Sequence, residues 1–124
     1  MPKIRHIAYR ADDPEAMAKF FIEGFGMTIA QRRGPGVIDL TDGTLNLTVL
    51  PAVAGDPNRK AGLEHIGFTA ADGDAARAQL VAAGGTEKNT VKLDNANYEV
   101  KFQGPEGIVV DLSLIHISEP TRPE

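Results

Sequence analysis

Apolar and polar residues alternate from Lys3 to Arg10, which predicts a strand with Ile7 and Tyr9 on one face and Ile4, His6 and Ala8 on the other. Asp12-Asp13-Pro14-Glu15 marks a helix start: an aspartate to cap, a proline at an early helical position and acid at the positive end of the dipole. From Ala16 to Phe25 the period becomes helical. Its apolar stripe, Met17, Phe20, Phe21 and Phe25, assigns the phenylalanines to the core, and Gly24 and Gly26 supply a stop. Three short strands are expected at Thr28–Arg32, Val37–Leu40 and Thr44–Leu50, separated by Gly34-Pro35-Gly36 and by the hairpin signal Asp42-Gly43.

The pattern then starts again. Leu63–Thr69 reads as a strand, and Asp72 to Ala83 as an alanine-rich helix closed by Gly84-Gly85. Further strands are expected near Glu87–Leu93, Tyr98–Gln103 and Ile108–Ser113, with Gly104-Pro105-Glu106-Gly107 as the last turn. Ile4-Arg5-His6-Ile7-Ala8-Tyr9 aligns with Leu63-Glu64-His65-Ile66-Gly67-Phe68, and the same offset matches Asp13 to Asp72, Ala16 to Ala75 and Gly26 to Gly85. Self-similarity at a fixed offset means two copies of one supersecondary unit. The expected organisation is a βαβββ module at 1–52, a linker at 53–61 and a second βαβββ module at 62–113. The fold class is α+β, a cupped mixed sheet with its helices outside.

Residues 114–124 break the pattern. From Leu112 to Arg122 the chain resembles the translation of a sequencing-library transposon adaptor, so this tail is read as non-native and His116 as carrying no inherited role.

A chain of 124 residues can bury one core but not two independent ones, so the modules are expected to share a sheet or an interface. The formal charge of −4 and the lack of a basic run argue against a nucleic-acid partner. No stretch approaches the roughly 18–20 apolar residues of a membrane span, and no signal-peptide pattern precedes the first strand, which points to a cytoplasmic protein. With no cysteine, disulfides, thiolate nucleophiles and Cys-based zinc sites are absent.

Repeated apolar positions such as Ile7 and Ile66 can recur for packing alone. A titratable, metal-binding residue repeated inside an apolar strand, as His6 and His65 are, is harder to explain that way. In Thr44–Leu50 the apolar residues Leu45, Leu47 and Val49 point one way, leaving Asn46 on the other face with Thr44 and Thr48. In the last strand Asp111 lies opposite Ile108, Val110 and Leu112, where an ionised carboxylate needs a partner. If the apolar faces pack on the helices, His6, Asn46, His65 and Asp111 share the concave face. Asn46 has the plainer reading of a hydrogen-bonding strand residue. Thr48, Thr69, Glu99 and Lys101 are candidates for lining the cavity, with the plainer reading of solvated strand residues. Tyr9 and Tyr98 read as packing residues. No catalytic acid or base is identified.

Arg5-His6-Ile7, Glu64-His65-Ile66-Gly67-Phe68 and Gly104-Pro105-Glu106-Gly107-Ile108-Val109-Val110-Asp111-Leu112, in that order, resemble the first, fifth and eighth strands of the vicinal oxygen chelate superfamily. That superfamily contains glyoxalase I, methylmalonyl-CoA epimerase, extradiol dioxygenases, fosfomycin-resistance enzymes and the bleomycin-binding proteins. The resemblance implies one divalent metal ion (Fe, Mn, Zn, Ni or Co) at His6, Asn46, His65 and Asp111. Two positions depart from its pattern: the eighth-strand ligand is normally Glu, and the fourth-strand position is Glu or Gln rather than Asn. Asn46 can ligate but cannot act as a base, which counts against a glyoxalase-type proton shuttle.

Two imidazoles and a carboxylate match the facial-triad set of Fe(II) oxygenases. The expected function is therefore a metal-dependent enzyme of dioxygenase type acting on a small substrate that chelates through vicinal oxygens. A metal-dependent lyase, isomerase or fosfomycin-type transferase stays open, as does a metal-free binding protein of the bleomycin-resistance sort. A chain of this size is also expected to cover its remaining sheet edge by forming a homodimer.

Overall fold

The computed structural model describes residues 2–92 and 98–114. Among them are eight strands and two helices, an α+β fold of mixed β-structure. They fall into two compact units, one spanning Arg5–Ile66, the other running from Gly67 onward together with the residues up to Ile4.

In the first unit, β1 (Lys3–Ala11) leads into α1 (Pro14–Phe25), then β2 (Thr28–Arg33), β3 (Val37–Thr41) and β4 (Asn46–Pro51). The strands lie in the order β2-β3-β4-β1. β1 runs parallel to β4, whereas β3 is antiparallel to both β2 and β4. The Asp13 carboxylate accepts from the backbone N–H of Ala16, Pro14 opens the helix, and Gly26 closes it in the left-handed conformation at φ 73°. Asp42 shapes the β3–β4 hairpin: its carboxylate accepts from the N–H groups of Thr44 and Leu45 at 2.8 and 2.9 Å. Those two residues therefore belong to the turn, and β4 starts at Asn46 rather than at Thr44. The same backbone N–H groups, Leu45's first, hold the Asp42 carboxyl below the usual aspartate range.

The core of this unit is Ala11, Ala18, Met27, Ile38, Leu40 and Val49, with Met17, Phe21, Ile22 and Leu47 packed against it. The helix phenylalanines do not all reach it. Phe21 does, four residues after Met17 on the sheet-facing side, but Phe20 is 62% exposed and Phe25 71%. Phe20 lies about 100° round the helix from Phe21, and Phe25 sits in the last turn before the Gly26 stop. The three rings pack on one another instead, with centroids 5.3 Å apart for Phe20–Phe21 and 5.9 Å for Phe21–Phe25.

The boundary between units falls inside β5 (Gly62–Ala70). After it come α2 (Gly73–Ala82), β6 (Thr86–Lys92), β7 (Tyr98–Gln103) and β8 (Val109–Leu114), in the strand order β5-β8-β7-β6. α2 repeats the start of α1, with Asp72 accepting from the N–H of Ala75. The Gly104–Gly107 turn contains one 3-10 turn, Pro105–Gly107, in which Glu106 takes a left-handed φ of 58°. Ala70, Ala76, Val100, Phe102 and Leu112 form the core, with Phe68, Leu80 and Val110 against it. The expected strand end at Leu93 and the tail from 115 on, His116 included, lie outside the described residues. No helix among the described residues is long and apolar enough to cross a membrane.

Truncation should separate the two kinds of phenylalanine. Phe21→Ala is expected to cost about 2–3 kcal/mol of unfolding free energy, somewhat below the range for a fully buried ring. Phe20→Ala should cost under about 1 kcal/mol. Urea titration followed by circular dichroism measures both.

Candidate functional site

In β4, Leu47 and Val49 turn toward α1, so Asn46 and Thr48 occupy the opposite face. The parallel register sets His6 beside Asn46 and Ala8 beside Thr48. The polar residues of the first unit thus share the face that carries no helix.

His6 and His65 meet there. Their Nε2 atoms are 3.1 Å apart, and the rings stand edge-on with centroids 5.1 Å apart. As a hydrogen bond, that contact needs a proton on one of the two nitrogens. As a pair of metal ligands, both nitrogens must be bare. Two nitrogens bound about 2.0–2.1 Å from one ion at right angles are about 3 Å apart, so the observed separation suits adjacent ligands.

A second pair of β1 and β5 residues braces the two strands. Arg10 Nε donates to Glu64 Oε1 at 2.6 Å, and Arg10 Nη1 donates to the carbonyl of Pro51 at 2.8 Å. The arginine is mostly buried, so both contacts work in a medium of reduced dielectric, where charge-assisted bonds are strong.

In the other unit Asp111 is buried at 2% exposure. Its register partner across β7–β8 is Lys101, whose Nζ donates to Oδ1 at 2.9 Å. Glu99 lies 3.8 Å from the same ammonium. The partner that a carboxylate in an apolar strand requires is therefore, at least in part, a lysine two strand positions from a second acid. Thr69 sits in β5 between Phe68 and Ala70 of the core.

Thr48 leads to a cluster that the pattern of the sequence did not single out. Its hydroxyl donates to Asp39 Oδ1 at 2.7 Å. Arg33 grips the same carboxylate with two bonds, Nε to Oδ2 at 2.6 Å and Nη2 to Oδ1 at 3.0 Å, and Gln31 Nε2 donates at 3.2 Å. Three strands, β2, β3 and β4, are pinned to one buried carboxylate. Burial pushes the Asp39 carboxyl up, but the bonds from Arg33, Thr48 and Gln31 together with the Arg33 charge bring it below the usual aspartate range. A signal was available: Asp39 stands between Ile38 and Leu40 just as Asp111 stands between Val110 and Leu112.

Two βαβββ modules with histidines repeated on their first strands define a class of fold rather than one reaction. The chain belongs to the Glyoxalase/Bleomycin resistance protein/Dioxygenase superfamily, whose family model matches residues 3–112. Among solved structures it is similar to a methylmalonyl-CoA epimerase variant from Streptomyces coelicolor in complex with 2-nitronate-propionyl-CoA (19% identity, TM-score 0.64), covering 90% of this chain and 96% of that one. The Mn(II)-bound glyoxalase from Novosphingobium aromaticivorans matches at 18% identity and TM-score 0.69, over 95% of this chain and 44% of that one. The 2,3-dioxygenase LapB from Pseudomonas sp. KL28 matches at 19% identity and TM-score 0.70, over 90% of this chain and 40% of that one. At these identities the likeness establishes the fold. No curated protein matches the chain.

The Asp39 cluster sets a pH dependence. A carboxyl held below its unfolded value contributes stability that is complete above about pH 4–5 and is lost as pH falls through the folded value. Asp39→Asn should lose roughly 1–3 kcal/mol near pH 7. The gap between the native chain and this variant should narrow steadily below pH 4 in urea titrations.

Proposed function

We propose that the protein is a mononuclear divalent-metal enzyme in which His6, His65 and Asp111 hold the ion, with Asn46 as a fourth, weaker donor. The observation that carries this reading is the 3.1 Å separation of the two Nε2 atoms. Two imidazoles and a carboxylate suit Fe, Mn, Zn, Ni or Co. When bound, such an ion stabilises negative charge developing on two adjacent oxygens of a small substrate.

The chain's own residues do the rest. His6 and His65 must present unprotonated Nε2 atoms to an ion. Arg10, through Glu64, braces β1 against β5 and so fixes the angle between the rings. Lys101 donates to Oδ1 of Asp111 and balances its charge across the β7–β8 pair. Thr48, Thr69, Glu99 and Lys101 are assigned to the substrate side. Asn46 offers an amide where a carboxylate would move a proton, which favours oxygenase chemistry with Fe(II) or Mn(II) over glyoxalase-type isomerisation. A homodimer in the cytoplasm belongs to the same reading.

One observation favours a metal-free binding protein instead: Lys101 supplies Asp111 with a counter-charge that needs no ion. Titration of chelator-treated protein with Fe(II), Mn(II), Zn(II), Ni(II) and Co(II) separates the two. Stoichiometric binding is expected, weakened by about 100-fold or more in His65→Ala and Asp111→Ala and by about 10-fold or less in Asn46→Ala. Substoichiometric binding of all five ions would overturn the metalloenzyme reading. Oxygen uptake with vicinal diols and catechols then distinguishes an oxygenase from a lyase, isomerase or transferase.

A further inference from the structure

We infer that the second unit carries a separate binding site for an uncharged apolar molecule, beneath α2. A pocket of about 310 Å³, partly open to solvent, lies between that helix and the strands, bordered by Pro2, Phe68, Ala76, Leu80, Val110 and Leu112. Its surface is almost wholly apolar. Protein interiors leave few voids larger than a water molecule, and a cavity without polar partners holds water poorly. An apolar cavity of about 150 Å³ already takes benzene. This one has room for one or two fused rings or a short acyl chain.

The cavity has a traceable origin in the repeat. α1 and α2 start in the same register, since Asp13 caps onto Ala16 and Asp72 onto Ala75. Counting from those caps, Met17 corresponds to Ala76 and Phe21 to Leu80. In the first unit the thioether and the phenyl ring pack against the core cluster that contains Ile38, Leu40 and Val49. In the second a methyl and an isobutyl group stand at those places.

The ligand class follows from what borders the space. Asp111 touches it, but its carboxylate is held by Lys101, its partner across β7–β8, and the flanking Val110 and Leu112 belong to the apolar lining. Gln79 is the remaining polar side chain at the border, able to exchange hydrogen bonds with a carbonyl or hydroxyl group. Among the described bordering residues none is a cation, and Asp111 is already paired, so the lining suits an aromatic hydrocarbon, a small ester or an alkyl alcohol better than a charged ligand.

Toluene and naphthalene added to the full chain, with and without chelator treatment, test this independently of any metal. Toluene at about ten times its dissociation constant should raise the unfolding midpoint saturably by about 3–6 °C. Methyl NMR shifts should be centred on Ala76, Leu80, Val110 and Leu112. Ala76→Met, which restores the residue of the first helix, should raise the midpoint of the free chain and abolish the toluene effect. Leu80→Phe should weaken that effect and serves if the first variant does not fold. The inference is overturned if no saturable rise occurs, as when residues beyond Leu114 or a second copy fill the space. It is equally overturned if both filled variants respond as the native chain does.

Discussion

A carboxylate placed in the middle of a β-strand has to find a cation or several donors, and each unit of this protein meets that requirement in its own way. Leaving such a group ionised and unpaired in an apolar setting costs several kcal/mol, more than most single contacts return. Asp39 meets the requirement with a bidentate arginine, a hydroxyl and an amide drawn from two neighbouring strands. Asp111 meets it with Lys101 directly opposite. The two solutions differ in the kind of partner they use. Each Asp39 oxygen accepts from Arg33 and from one further side chain, so that cluster locks strands together. Asp111 is paired with Lys101, a flexible ammonium that can share it with other groups.

The histidines impose a complementary condition. Two imidazole nitrogens in contact can share one proton between them, but they cannot both carry one without repulsion. Strand order and the Arg10–Glu64 pair hold them close whether or not anything lies between them. Such preorganisation removes part of the ordering cost from any later binding event.

Much of this architecture was legible in the residues. Alternation located the strands, Asp13 and Asp72 announced both helices, and the repeat of His6 at His65 picked out the pair that meets. The reading faltered where local pattern and tertiary geometry part company. An apolar stripe cannot say where the sheet beneath a helix ends, so it places Phe20 and Phe25 in a core that, of the three rings, only Phe21 reaches. Asp42 was recognised as a turn residue, yet its grip on two following N–H groups shortens β4 at its start. Asp39 shows an asymmetry of another kind. Its setting matches that of Asp111, but Gln31 and Arg33 reach it across the strand pair that register creates, and register is not written in any one segment.

Arg10 has one more consequence. Its guanidinium ties the carbonyl of Pro51 to the side chain of Glu64, the residues that bracket the connector between the repeats. With both ends of that connector clasped by one side chain, the intervening chain forms a closed loop whose length enters the free energy only logarithmically. Insertions or deletions there can accumulate at little thermodynamic expense, so the connector is the part of the molecule most open to diversification while the strands it joins stay fixed.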